Sequence, residues 1–299
     1  SRRQRQMCIR DRVLGQQRQN FVSVKDETSG KVIIGVEDGA NNSYCDLLFY
    51  VNASKTIEEP NDRPVITPDD GNEPEKPDVT ETKTGTLAFE DIWPGGGDYD
   101  MNDVIVEYNR AVSFDKKNQV TKIVDTFTPV HDGAVFANAF AYQVDKGQFG
   151  KMTFSATTEG IHTESATSSI IVCPNVKQAI QKVYTITREF TGGSFNKKDL
   201  KSYNPYIIVK YAEGQKGRTE VHLPKHEATS LADLSLAGTQ KDAYYIDKEG
   251  AYPFAIDIPI LNFISVTEKK SIDTEYPNFK AWADSKGEKY TDWYNNHVN

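Results

Sequence analysis

Short runs of β-branched and aromatic residues, cut apart by turn formers, recur along most of this chain and constrain its fold more than any other feature. Such runs fall at 103–114, 119–129, 134–144, 151–157, 168–172, 181–190, 206–211, 220–223 and 252–258. Three more, FVSVKD, KVIIGVED and CDLLFYV, lie between residues 21 and 51. Branched and aromatic side chains pack well on a half-buried pleated surface, and the chain carries 15 Tyr and 14 Phe. Strands of this length with frequent turn signals predict a mostly β protein, an antiparallel β-sandwich or jelly roll, and not a succession of βαβ units. One short C-terminal helix is expected in YPNFKAWADSKG. There Pro277 suits the first turn, Phe279, Trp282 and Ala283 share a face, and Gly287 supplies a stop. No apolar run reaches the 18 residues or so that a transmembrane helix requires.

Composition changes twice along the chain. Residues 1–12, SRRQRQMCIRDR, carry five Arg and one Asp without apolar periodicity or a hydrophobic signal core. They read as a non-native leader, translated from sequencing-adapter sequence, which implies that the true start and any signal or lipid anchor lie upstream. Residues 55–85 hold five Pro, many acids and few large apolar side chains. Such a stretch buries too little surface to offset its ordering entropy, so a flexible linker is expected. The domains expected are therefore the leader, the remnant of a preceding β domain at 13–54, the linker, and a β domain at 86–299. Formal charge is -8, and more negative still without the leader. Nucleic acid is an improbable partner for such a chain, because phosphate binding needs a basic stripe.

The acidic balance peaks in LAFEDIWPGGGDYDMNDVIVEY. Asp98, Asp100 and Asn102 alternate, Asp103 follows, Gly95, Gly96 and Gly97 precede them, and Glu90 and Asp91 stand across the turn. Oxygens on every second residue of a curled loop can meet at one point, and calcium accepts six to eight of them in irregular geometry. The competing reading is an acidic hairpin whose Asp and Asn side chains cap their own backbone. An earlier stretch, GVEDGANNSYCDLLFYV, repeats the pattern with Asn41, Ser43 and Cys45 in place of Asp98, Asp100 and Asn102, so its carboxylates are lost.

Other chemistry is thinly marked. His222 and His226 in HLPKH are spaced i, i+4, but Pro224 between them opposes a helical zinc pair and no HExxH is formed. Both read as solvated strand-end histidines. Ser194 in TGGSFN lacks a nucleophile elbow. Paired carboxylates for glycoside hydrolysis cannot be picked out among so many acids. No catalytic residue is assigned. Cys8, Cys45 and Cys173 form no metal-binding pattern, and Cys45 and Cys173 are read as buried thiols in preference to a disulfide. Trp282, Trp293, Tyr276, Tyr290 and Tyr294 would suit a sugar-stacking platform, but core packing is the simpler reading.

FEDIWPGGGDYDMNDVIVEY, VHDGAVFANAFAYQV, EVHLPKHEAT and the tail from YPFAIDIPILNF to YTDWY resemble, in matching order, the LruC domain family of exported bacterial proteins. The likeness covers about residue 87 to the C-terminus. It implies an all-β fold, an extracytoplasmic location in the envelope or at the cell surface, frequent lipoprotein anchoring and no established enzymatic activity. The expectation is a calcium-stabilised surface module with metal ligands among Asp98, Asp100, Asn102, Asp103, Glu90 and Asp91. Its partners would be surface glycans or other envelope proteins. The alternative is a carbohydrate-binding or carbohydrate-active protein.

Overall fold

Strand β5 (Val79–Phe89) pairs along its whole length with β6 (Val104–Phe114), from Val79 opposite Phe114 to Phe89 opposite Val104. The computed structural model describes residues 6–7, 21–25, 32–36, 47–51, 79–190, 195–201, 203–214, 217–235, 245–246 and 252–298. The chain forms two units, 1–72 and 73–299. The first holds an antiparallel sheet in the order β1 (Gln6–Met7), β2 (Phe21–Lys25), β3 (Val32–Val36), β4 (Leu47–Val51). Three of these are the expected strands. The fourth falls in the segment read as a leader, where Gln6 and Met7 pair with Val24 and Ser23. An edge strand presents unpaired N–H and C=O groups, which any extended backbone can satisfy whatever its side chains.

In the second unit β5 and β6 sit within a six-stranded sheet with β7 (Val120–His131), β9 (Met152–Ala156), β12 (Tyr184–Phe190) and β15 (Ala255–Ile258). Its order is β15-β5-β6-β7-β12-β9. A five-stranded sheet runs β10-β11-β8-β13-β14. Its members are β8 (Ala139–Gln143), β10 (His162–Glu164), β11 (Ser169–Cys173), β13 (Asn204–Ile208) and β14 (Glu220–His222). All pairings are antiparallel, as the alternation predicted.

Alternate side chains assign the layers. Leu87, Phe89, Val104, Val106 and Phe127 meet Phe140, Tyr142, Ile170, Ile207 and Val221 in one core between the sheets. Ala88, Ile105, Ile256 and Ile258 point the other way, onto Phe263, Val266, Ile272, Tyr276, Phe279 and Trp293 of the C-terminal segment. That segment contains α2 (Ile272–Glu275) and α3 (Phe279–Asp284), while α1 (Lys146–Phe149) is a single turn before β9. The expected C-terminal helix is thus shorter than its motif and preceded by a second turn of helix. Its role is as read, since Phe279 and Ala283 are buried and Trp282 is half-buried on Phe279 and Trp293.

Two boundaries move. Strand β5 begins inside the segment read as linker, because TETKTG, though polar, gains a full ladder from β6. The run expected at 134–144 becomes a strand only from Ala139, and residues 134–138 serve the loop described below. Cys45 and residues 37–46 of the degenerate acidic copy lie outside the described residues. Cys173 is a buried free thiol.

A buried polar group links β6, β7 and β12. Asp125 on β7 is fully buried and accepts from Arg110 Nε at 2.6 Å, Arg188 Nη2 at 2.9 Å and Tyr142 Oη at 3.0 Å. Burial alone would raise its carboxyl, but the Arg110 and Arg188 guanidiniums outweigh burial and hold it below the ordinary range. Removing one member leaves uncompensated buried charge, at a cost of about 3–5 kcal/mol. Asp125→Ala is therefore expected to lower the unfolding free energy by that amount, read as a lower urea midpoint at an unchanged m-value. An apolar triple replacement of Arg110, Asp125 and Arg188 should recover most of it.

Candidate functional site

Residues 90–103 leave β5 and re-enter β6 as a loop folded tightly on itself. Tyr99 and Met101 both take left-handed backbone conformations, φ 56° in each, which non-glycine residues seldom adopt. Their side chains hold them there. Tyr99 stacks on Tyr252 at 5.1 Å, and Met101 is buried in the C-terminal layer. Between them Asp100 is turned inward.

Three segments grip this loop. From the C-terminal side, Lys269 N–H donates to Asp100 Oδ2 at 2.9 Å, Ile272 N–H donates to the Tyr99 carbonyl at 2.8 Å, and Asn102 Nδ2 donates to the Val266 carbonyl at 3.1 Å. From the turn after β7, Gly133 N–H donates to the Asn102 carbonyl at 3.0 Å. A Cβ on Gly133 would stand 2.4 Å from Asn102 Oδ1, so only glycine fits there. At the exit of β5, Glu90 Oε1 accepts from Met101 N–H at 2.5 Å.

The six carboxylate and amide side chains expected to share one cation divide into two groups. Glu90, Asp98 and Asp100 each offer an oxygen within 4.8 Å of the others. Glu90 is fully buried and its Oε2 has no hydrogen-bond partner among the described residues. A Cβ at Gly97 would lie 2.6 Å from that oxygen, which fixes one use of the glycine run. Asp98 is exposed and opens the group to solvent.

Asp91, Asp103 and Asn102 are engaged elsewhere. Asp91 N–H donates to Asp103 Oδ2 at 2.7 Å, and Asp91 Oδ2 accepts from Asn138 Nδ2 at 2.7 Å. Asp132, 3.1 Å from Lys177 Nζ, completes this second acidic branch. Asp132, Gly133 and Asn138 belong to VHDGAVFANAFAYQV. Proximity to the loop thus explains that motif, which carried no chemical signal as a strand.

Crowding governs the charges. Burial, then the Asp103 carboxylate, drives Glu90 well above its ordinary value. Burial, then Asp91, pushes Asp103 up to about 8. Burial also raises Asp91, Asp100 and Asp132. Each of these groups resists ionising unless a cation or donor answers it.

The histidine reading needs correction. His222 is not solvated but fully buried, stacked on Tyr206 at 4.4 Å and bonded to Glu220 Oε2 at 2.9 Å and Asn204 Oδ1 at 2.7 Å. Burial keeps it below its usual range. Strand β14 is covered on its outer face, with Thr229 N–H and Oγ1 both donating to Glu220, and three letters of sequence do not reveal that cover. Among the described residues, neither histidine of HLPKH joins a group able to hold a metal. Of the candidate platform aromatics, Trp293 and Tyr276 are buried in the C-terminal core.

Fold and site together define an antiparallel β-sandwich with a buried-rooted acidic loop at the junction of its first hairpin. A family model described as "Domain of unknown function (DUF4842)" matches residues 118–294, and the chain belongs to that family. In fold it is similar to the crystal structure of a candidate lipoprotein from Bacteroides ovatus. The TM-score is 0.55 and identity 16%, covering 100% of this chain and 92% of that one. No curated protein matches the chain. No described helix is long and apolar enough to cross a membrane.

Between the unfolded Asp value near 4 and about 8, folded Asp103 holds a proton that the unfolded chain has released. Stability contributed by this group therefore falls as pH rises through that window and levels off above it. Asp103→Asn, which cannot titrate, should gain on the parent protein by up to about 1.4 kcal/mol per pH unit between pH 5 and 8. Denaturation midpoints of the pair, measured in chelator across that range, check this.

Proposed function

We propose that this chain is a non-enzymatic module of the bacterial envelope whose 90–103 loop is clamped by calcium, with a structural or adhesion-type role at the cell surface. The observation that carries the metal is that Glu90, Asp98 and Asp100 each bring an oxygen within 4.8 Å of the others, while the buried Glu90 Oε2 has no hydrogen-bond partner among the described residues. Their mutual spacing of at most 4.8 Å suits oxygens 2.3–2.6 Å from one calcium ion. Water and loop carbonyls would complete the shell on the Asp98 side. Asp91, Asn102 and Asp103 then support the loop without ligating.

The envelope reading draws on the resemblance to LruC proteins and on the Bacteroides ovatus lipoprotein candidate that shares the fold. Anchoring would come from a lipid on a preceding segment. Surface glycans or other envelope proteins are the partners such a module meets. The carbohydrate-binding alternative loses support, because Tyr276, Trp282, Trp293 and Tyr294 of the offered platform are packed against one another, although Tyr290 is exposed.

Only the folded chain presents these carboxylates together, so calcium stabilises it by mass action, about 2.7 kcal/mol at a hundredfold excess over Kd. For a unit of this size that raises the melting temperature by roughly 5–10 °C over chelator. Asp98→Asn and Asp100→Asn should abolish most of the rise, and magnesium should give little of it. A melting curve that is the same in excess calcium and in chelator overturns the metal assignment.

A further inference from the structure

Four exposed apolar side chains gather at one end of the sandwich, the end that carries the acidic loop. Strand β5 ends and β6 begins there, at Phe89 opposite Val104. Strand β7 ends beside them with His131 opposite Ile105, and β11 ends with Cys173 opposite Phe140 of β8. Connections 90–103, 132–138 and 174–183 therefore emerge at the same end. They also hold one another. Ala134 N–H donates to the Asp103 carbonyl at 3.4 Å, Asn138 Nδ2 donates to Asp91, and Lys177 pairs with Asp132. Gln181 N–H donates to the Pro129 carbonyl at 2.8 Å. On these connections Val135 is 88% exposed, Val183 55% and Ile92 48%, and Ile180 is exposed beside Gln181. Val135 is the most exposed large apolar side chain among the described residues.

We infer that this end of the sandwich docks on an anionic lipid surface, with calcium bridging lipid phosphates to the acidic loop while the apolar side chains enter the bilayer. Calcium binding by the loop, as proposed above, is the condition for docking. Glu90, Asp98 and Asp100 fill only part of a shell of six to eight oxygens, and exposed Asp98 leaves its solvent side open. Phosphate oxygens can take the places of water there. Charge makes the cation necessary, because an anionic surface repels the exposed carboxylates of Asp98 and Glu159 at this end. Lys182 and Lys210, the latter over the Phe136 ring at 3.8 Å, add attraction of the right sign. A protein interface needs about 800 Å2 of matched surface on each side. Four side chains spread over three connections do not supply a continuous apolar surface of that kind, whereas a bilayer accepts each of them singly, and the affinity grows with the apolar area entered plus the electrostatic attraction.

The test is sedimentation of the full chain with vesicles of mixed phosphatidylglycerol and phosphatidylcholine, set against vesicles of phosphatidylcholine alone. In calcium the chain should bind the anionic vesicles about tenfold or more tighter than the neutral ones, and chelator should release it. Val135→Ser and Val183→Ser change exposed positions, so each should keep the melting rise that calcium gives. Each should weaken vesicle binding about tenfold, the factor expected for withdrawing a valine side chain from an apolar phase. Leu261→Ser, at an exposed position beyond the far end of β15, should change neither. Equal binding in calcium and chelator, equal binding to both vesicles, or unchanged affinity in both valine variants overturns the proposal. No vesicle binding with the calcium melting rise intact overturns the docking surface and leaves the metal, whereas loss of both overturns the metal as well. A calcium-dependent dimer without vesicle binding gives the apolar side chains to a second copy of the chain and overturns the lipid surface.

Discussion

Phe89 opposite Val104 is the pairing on which the rest of the molecule depends. Neighbouring strands run about 4.8 Å apart, so residues 90–103 must turn back within one strand spacing. The carboxylates they carry have nowhere to spread. Left-handed turns at Tyr99 and Met101 tighten the loop further, and the C-terminal segment closes over it. The raised carboxyl groups are the electrostatic record of that confinement. Such a loop can be relieved by holding protons or by holding a cation, and the two remedies compete. The hairpin ladder supplies the mechanical force that keeps the acids together until one of them acts.

The sandwich solves a different problem with the same currency. Asp125 and its two arginines take charge out of water between the sheets, where a well-packed apolar trio would serve stability as well or better. What the ionic group adds is directionality. Arg110 on β6, Asp125 on β7 and Arg188 on β12 can satisfy one another only in the native register of those three strands. A one-residue slip would turn each side chain to the opposite face. Buried charge here acts as a registry mark.

The strands were legible because period-two alternation is local: β6, β7 and β12 follow directly from which residues are branched or aromatic. The acidic loop was legible as a cluster but not as a geometry. Alternation along 98–103 suggests that Asp98, Asp100 and Asn102 share a centre, yet a tertiary contact diverts Asn102 to Val266, while Glu90, the first residue past β5, lies beside Asp98 and Asp100. Val266 lies far away in sequence, beyond any spacing rule. His222 failed for the same reason, since its burial depends on a covering segment and not on its own strand. Arg110, Asp125 and Arg188 are unremarkable charged letters in strands, and only the stacking of sheets shows them to be internal.

The contact from Lys269 to Asp100 spans 169 positions of chain. A ribosome, or a translocation channel, releases residue 100 long before residue 269. For that interval the acidic loop has its own hairpin but lacks the backbone donors that turn Asp100 inward and cap Tyr99. The loop is therefore made well before the residues that finish it. Its completion marks the moment at which the C-terminal segment that closes it has emerged.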